Sequence, residues 1–493
     1  MEGVPLYCSE SVRELDRLTI AAGTPAVELM RRAGWAAFDW LQRRYPEARR
    51  ICVLCGPGNN GGDGYVLARL AREAGCEVRL AALDAPRSEE AKAVAADWRQ
   101  AGGEVLTELP HELAAADLIV DALFGIGIQT ALRDPAAAWV RAVNRSARPV
   151  LALDLPSGLD ADRGSAPGEA IQADSTISFV ARKRGLYSGR GRALAGERQF
   201  ADLGAVSAGA HGVAASAYAL DRRLLAGALP ARADDAHKGA SGHVLALGGN
   251  LGMGGAIRLC AEAALRCGAG LLSVATRPEH VTALLAGRPE CMVHGVPEHK
   301  VPAAELLAKA NVLAIGPGLG RDAWGLSMLE AGLAANKPAV LDADALWHMA
   351  QGARPPKRAV ITPHPGEAAR LLGCSVEQVQ ADRFTTTQEL ARRFACTVVL
   401  KGNGSLVVDG SVSSDEMACY VIDAGNPGLA VGGSGDVLTG VIAALLGQGL
   451  SPAHGAKLGA LLHAVAGDVA AEQGQRGLLP SDLMEPLRRL VNT

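Results

Sequence analysis

Three acids, Asp63, Asp121 and Asp154, and the neutral oxygens of Asn59, Asn60 and Ser157 lie in "CGPGNNGGDGY", "DLIVDALFGIG" and "PVLALDLPSGLD". Each stretch couples a short apolar run to glycine and an acid. In open α/β sheets such run ends border one crevice at the carboxyl edge, so the three are expected to share a pocket. Gly56, Gly58 and Gly61 have the G-x-G-x-x-G spacing that seats a pyrophosphate on a helix N-terminus. A carboxylate at Asp63 would repel that anion unless a cation lies between them or the acid faces elsewhere. Asn60, Asp121 and Ser157 offer oxygen ligands suited to a hard cation. Helix or turn capping would account for any one of these acids, but less readily for the set. Asp84, 23 residues after Gly61, gives a Rossmann dehydrogenase its ribose-binding acid. That reading leaves Asn59, Asn60 and Asp63 unexplained.

A second chemistry-bearing stretch is "GNPGLAVGGSGDVLTGV". Its glycines, ending at Gly435, precede an apolar helix whose free amides would hold an anion. Asp436 then falls in the first helical turn, where the helix dipole alone would also favour an acid. No G-x-x-x-x-G-K-[ST] occurs in the chain, which excludes a Walker-type NTPase. Lys401 ends the run "CTVVLKG" and opens a glycine loop, and His364 follows "AVITP".

Positioning these groups requires alternating strands and helices. "ICVLC", the glycine loop, the helix "DGYVLARLAREAG" and "EVRLAAL" form a βαβ unit. Before it, "SVRELDRLTIAAGTPAVELMRRAGWAAFDWLQRR" predicts two helices, with Ser11 and Glu14 at capping-box spacing in the first. Cys52 and Cys55 share one strand and point to opposite faces, as buried apolar residues rather than a metal pair. The alternation weakens over residues 205–235 and restarts at "HVLALGG". We therefore place domains at 1–220 and 221–493, both α/β and doubly wound.

The chain has 493 residues and a formal net charge of −3, which argues against a broad nucleic-acid surface. No apolar stretch reaches the length of a membrane span, and the first residues are unlike a signal peptide. A cytoplasmic protein is expected, with its ten cysteines reduced.

"GPGNNGGDG", "DALFGIG", "DLPSGLDADRG" and "RKRGLYSGRGRALAGE" together resemble NAD(P)H-hydrate epimerases over residues 10–215. The resemblance implies a Rossmann-like three-layer domain. It implies contacts to a hydrated nicotinamide nucleotide from Asn59, Asn60, Gly61, Gly62 and Asp63. The same applies to Gly125, Ile126, Gly127, Ile128, Gln129, Thr130 and Ala131. Asn60, Asp121 and Ser157 would ligate potassium. Asp154 would lie at the reacting ring, and inversion there needs a proton acceptor and donor. In "LMRRAG", Arg31 stands where that family often has an acid.

"GGSGD" resembles the anion hole and catalytic aspartate of ribokinase-like enzymes. With "HKGASGHVLALGGNLGMGG", "IGPGLG", "ITPHPGE" and "LKGNGSL", the second half resembles ADP/ATP-dependent NAD(P)H-hydrate dehydratases from His237 to the last helix. That likeness implies a ribokinase-like α/β domain. Lys401, Gly402, Asn403, Gly404, Ser405 and Gly435 would bind the adenine nucleotide. Ala256, Gly318 and His364 would contact substrate, Asp436 would act at its hydroxyl, and Mg2+ would bridge the nucleotide phosphates. The pair implies a bifunctional repair enzyme, an isomerase joined to a lyase, that is a homo-oligomer. The alternative is a ribokinase-like small-molecule kinase with a non-catalytic nucleotide-binding N-terminal module.

Overall fold

The computed structural model describes residues 3–110 and 113–493. The chain divides into two compact units, Pro5–Ala217 and Tyr218–Thr493, the latter also taking in Gly3 and Val4.

The first unit is built on a parallel sheet. Its strands run Glu77–Ala82, Arg50–Cys55, Leu118–Ala122, Val150–Leu153, Ser175–Phe179 and Glu197–Ala201 in spatial order. From Arg50–Cys55 the chain moves to one side for its next strand and to the other for the one after. This reversal opens a crevice beyond Cys55 and Ala122. Both faces of the sheet are covered, as unbroken apolar strands require. Val53 and Cys55 pack into one core, while Cys52 and Leu54 pack into another. The two cysteines thus lie on opposite faces.

Two local expectations need correcting. The stretch "NNGG" is not part of a loop before the helix, because the helix already starts at Asn59, four residues before Asp63, and continues to Glu73. The glycines of this helix allow close packing instead. A side chain on Gly61 would collide with the Gly56 carbonyl, and one on Gly64 would come within 2.6 Å of Ala122 Cβ. Ser11 and Glu14 form no capping box either. The helix Ser9–Ala21 begins two residues earlier, with Cys8 as its N-cap and no side-chain cap bond. Asp162 Oδ1 accepts the Ser9 amide at 2.6 Å, and Glu14 pairs with Arg17.

The second unit carries a larger sheet. After the edge strands Val4–Leu6 and Ala217–Leu220, its strands follow the order Cys419–Ile422, Leu406–Asp409, Thr397–Leu400, Ala359–Ile361, Ala339–Leu341, Val312–Ile315, His243–Leu247, Leu271–Thr276 and Met292–Gly295. From Thr397–Leu400 to Met292–Gly295 all pairings are parallel, and the hairpin through Leu406–Asp409 is antiparallel. The switch point lies between His243–Leu247 and Val312–Ile315. There the Gly249 amide donates to Pro317 O at 3.0 Å and the Asn250 amide to Gly318 O at 2.6 Å. The helix Ser434–Gly447 lies against Gly254–Arg266, close enough that a side chain on Gly440 would collide with the Cys260 carbonyl. That contact fixes where the Asp436 end of the helix sits. Among the described residues, no helix is long and apolar enough to cross a membrane.

Candidate active sites

In the first unit, the crevice is a cavity of about 590 Å³. It is lined from the helix Asn59–Glu73 by Asn59, Asn60 and Asp63, and from the loop after Leu118–Ala122 by Gly125, Ile126, Gly127 and Ile128. Asp154 enters directly after Val150–Leu153, in the left-handed region at φ 63°. Gln129, Thr130 and Ala131 are exposed and outside the lining, and Gly61 and Gly62 face packing partners. Asp84 is an exposed acid paired with Arg87 at 3.3 Å, so it supplies no ribose ligand to this cavity. Arg31 points away, paired with Asp97, while its neighbour Met30 lines the cavity.

Asp121 and Ser157 meet although 36 residues apart. Ser157 donates to Asp121 through its hydroxyl at 2.6 Å and its amide at 2.8 Å, and the Leu123 amide adds a third bond at 3.2 Å. Burial raises the Asp121 carboxyl to about 6 despite these donors. Asp121 is fully buried with no ion pair among the described residues. Asn60 is buried as well, and neither its amide oxygen nor its nitrogen has a hydrogen-bond partner. A buried anion without a counter-charge and an orphaned amide oxygen suit a cation held by oxygen ligands.

Asp154 has a counter-ion that the sequence reading missed. Lys183, with 1% of its side chain exposed, ion-pairs with Asp154 Oδ1 and donates to Phe179 O at 2.6 Å. Asp16, on the helix Ser9–Ala21, was missed too and lines the same cavity. Burial raises Asp16 to about 6, and burial with the Asp154 and Asp16 charges raises Asp63 well above the carboxylate range.

In the second unit, the strand ends deliver a different cluster. Asp342 follows Ala339–Leu341, His364 follows Ala359–Ile361 and Lys401 follows Thr397–Leu400. Lys401 Nζ lies 2.7 Å from Asp342 Oδ1 and 3.7 Å from Glu367 Oε2, and the Thr439 hydroxyl donates to Asp342 Oδ2 at 3.1 Å. Burial pushes Asp342 up, but Lys401 outweighs it and holds the carboxyl below its ordinary value. A Cβ on Gly435 would lie 3.1 Å from Asp342 Oδ2 and 3.2 Å from Lys401 Nζ, so a side chain there would press on this ion pair. One turn of helix carries Gly435, Asp436 and Thr439 to the cluster. Burial and the Asp342 charge raise Asp436 to about 7. They outweigh the helix dipole, which favours a carboxylate there by only about 0.3–1 kcal/mol. Asp342 and Glu367, both unselected from the sequence, complete this site.

Gly318, at φ 59°, stands beside Ala256, since a Cβ there would lie 3.3 Å from Ala256 Cβ. The Lys401 amide donates to Pro363 O at 2.9 Å, joining the loop Lys401–Ser405 to the His364 turn. Within that loop the Gly402 amide reaches Ser405 Oγ at 3.2 Å. His364 caps the helix Pro365–Leu372, with Nδ1 accepting the Gly366 amide at 3.0 Å. Burial and Lys401 lower its basicity, and Nε2 of this half-exposed side chain lies 3.4 Å from Glu367 Oε1. A separate cavity of about 710 Å³ includes Arg232, Arg266 and Arg288, but shares no residue with either cluster.

The strand order and these clusters define a two-unit α/β enzyme, Rossmann-like in the first unit and ribokinase-like in the second. Residues 26–185 match a family model described as YjeF-related protein N-terminus, and residues 244–489 match one described as NAD(P)H-hydrate dehydratase. The chain is 45% identical to the bifunctional NAD(P)H-hydrate repair enzyme Nnr of Coxiella burnetii, with 99% of each chain covered. It is also 45% identical to the enzyme of the same name from Escherichia coli, covering 95% of this chain and 90% of that one. A solved ribokinase-like superfamily protein from Enterococcus faecalis is 30% identical over 56% of this chain and 95% of its own, with a TM-score of 0.50. This chain belongs to the family of bifunctional NAD(P)H-hydrate repair enzymes. The resemblance drawn from its motifs therefore holds, and the reading as a small-molecule kinase with a non-catalytic module is not supported.

Proposed function

We propose that the unit Pro5–Ala217 exchanges the R and S epimers of hydrated NADH or NADPH, and that the unit Tyr218–Thr493 dehydrates the S epimer using ADP or ATP. The observation that carries this reading is the second cluster: a half-buried acid, Asp436, at a glycine-cradled helix start beside Lys401, Asp342 and Thr439. Hydroxide leaves poorly, whereas a phosphorylated hydroxyl leaves well. Asp436, raised to about 7, accepts the hydroxyl proton near neutrality. The Gly435 turn stabilises the moving phosphoryl group, and elimination restores the dihydronicotinamide. The loop Lys401–Ser405 holds the adenine nucleotide, while Ala256, Gly318 and His364 hold the substrate. Bound Mg2+ would neutralise phosphate charge beside Asp342 and Asp436.

In the first unit, Asn59, Asn60, Asp63 and the loop from Gly125 to Ala131 hold the hydrated nucleotide, with Asp154 at the ring. Asn60, Asp121 and Ser157 would hold potassium, which would supply the counter-charge that buried Asp121 lacks. We also propose a cytoplasmic homo-oligomer that engages neither nucleic acid nor membrane, in keeping with its net charge of −3. The test is conversion of hydrated NADH to NADH by the purified enzyme with ADP or ATP, followed by returning dihydronicotinamide absorbance. Failure to regenerate NADH, or accumulation of a stable phosphorylated substrate, contradicts the dehydratase reading.

A further inference from the structure

This inference rests on the epimerase reading and deepens it. Hydration of a dihydronicotinamide adds water across an enamine double bond, which places the hydroxyl on the carbon bonded to the ring nitrogen. The hydrogen on that carbon is not acidic, so inversion by simple deprotonation has a high barrier. Breaking the C–O bond is easier, because the nitrogen lone pair can form a C=N bond as the oxygen leaves. That route needs a proton donor for the departing hydroxyl, and a separate acceptor for the water that returns at the other face.

The cavity of the first unit holds three carboxyl groups, Asp16, Asp63 and Asp154. Asp154 ion-pairs with Lys183 and accepts the Phe179 amide at 3.3 Å. Asp63 lies in the opening turns of the helix that also carries Asn60. Asp16 comes from another element, the helix Ser9–Ala21, and makes no hydrogen bond or ion pair with any described residue. It lines the cavity, together with Val12, Arg13 and Ile20 of the same helix. The charged groups around it are Arg13 on its own helix, Asp63 and Glu90 from two other helices, and Asp154 and Lys183. Burial, opposed by Lys183 and reinforced by Asp154, raises this carboxyl to about 6, so it can carry a proton far nearer neutrality than an exposed aspartate.

We propose that Asp16 is the general acid of epimer exchange. Its proton passes to the ring hydroxyl, the C–O bond breaks, the nitrogen lone pair forms the C=N bond of a ring iminium, and water leaves. A water molecule adds to the opposite face and loses its proton to Asp154, giving the other epimer. Proton exchange with solvent then resets both carboxyls, and the reverse direction uses the same steps with the roles exchanged. Each inversion therefore replaces the hydroxyl oxygen with one from solvent.

The experiment follows epimer exchange by the full-length enzyme in ¹⁸O-labelled water, with hydrated NADH and no ADP or ATP. Wild type should incorporate ¹⁸O with every inversion, and its exchange should decline as pH rises above about 6, where Asp16 ionises. Asp16→Asn should slow exchange by about 10²-fold and flatten that decline, and Asp16→Glu should restore much of the rate. Unchanged thermal unfolding establishes that the first unit is intact in each variant. Exchange by a folded Asp16→Asn at the wild-type rate would overturn the assignment. So would inversion without label entry, which needs no variant to observe. Absence of exchange in wild type above the enzyme-free background would instead remove the epimerase reading itself.

Discussion

The two candidate sites solve opposite electrostatic problems with similar materials. In the first unit, Lys183 is committed to one of the cavity's acids, Asp154, while Asp16 and Asp63 line the same cavity with no ion pair among the described residues and are pushed upward by burial. In the second, Lys401 sits between Asp342 and Glu367 with Asp436 beside them, so several acids share one ammonium group. The first arrangement raises the proton affinity of carboxyls in a cavity large enough for a ring, which suits proton transfer to and from the ring hydroxyl. The second concentrates negative charge at an amide-rich helix start, which suits a phosphoryl group arriving with a cation. The difference lies in the number of acids per buried lysine, since both clusters form at strand ends of doubly wound sheets.

The largest effect should come from removing Asp436. Asp436→Asn is expected to lower ADP- or ATP-dependent dehydration by about 10²–10⁴-fold while leaving epimer exchange intact. If NADH production and exchange fell together, the two sites would not be independent. Next, Lys183→Met leaves Asp154 without its counter-ion, and breaking a buried pair costs about 3–5 kcal/mol. Denaturant unfolding should show that loss in the transition of the first unit, with dehydratase turnover preserved. Gly435→Val would push into Asp342 and Lys401 and is expected to raise the KM for the nucleotide about tenfold, read from initial rates at varied ADP or ATP.

The smallest effect is a difference in pH dependence. A base must be deprotonated to act, so dehydration should rise with pH through about 7 as Asp436 ionises. Epimer exchange, limited by a protonated acid, should fall above about 6. Profiles that move in the same direction would break the contrast between the sites.

Much of this arrangement was legible in sequence because strand-end acids announce themselves. Asp121, Asp154 and Ser157 follow apolar runs, and Asp436 follows a glycine run. Asp342 carries the same signal in "PAVLDAD" and could have been found by applying that rule again. Asp16 and Lys183 could not be placed in this way. Asp16 is one acid in an amphipathic helix with other charges, and Lys183 lies far along the chain from the Asp154 it neutralises. Their roles depend on tertiary approach, which local pattern does not encode. The start of the helix at Asn59 was obscured for a related reason. Gly61 and Gly62 read as a loop, whereas they lie inside the helix and pack closely against Gly56 and Met30.

The most direct test of divided labour supplies both epimers of hydrated NADH with ADP or ATP and follows each to NADH. Wild type should consume both, Asp154→Ala should consume the S epimer at the normal rate and leave the R epimer to slow background exchange, and Asp436→Ala should exchange epimers without forming NADH. Rapid consumption of both epimers by Asp154→Ala, or NADH formation by Asp436→Ala at the wild-type rate, would contradict the account.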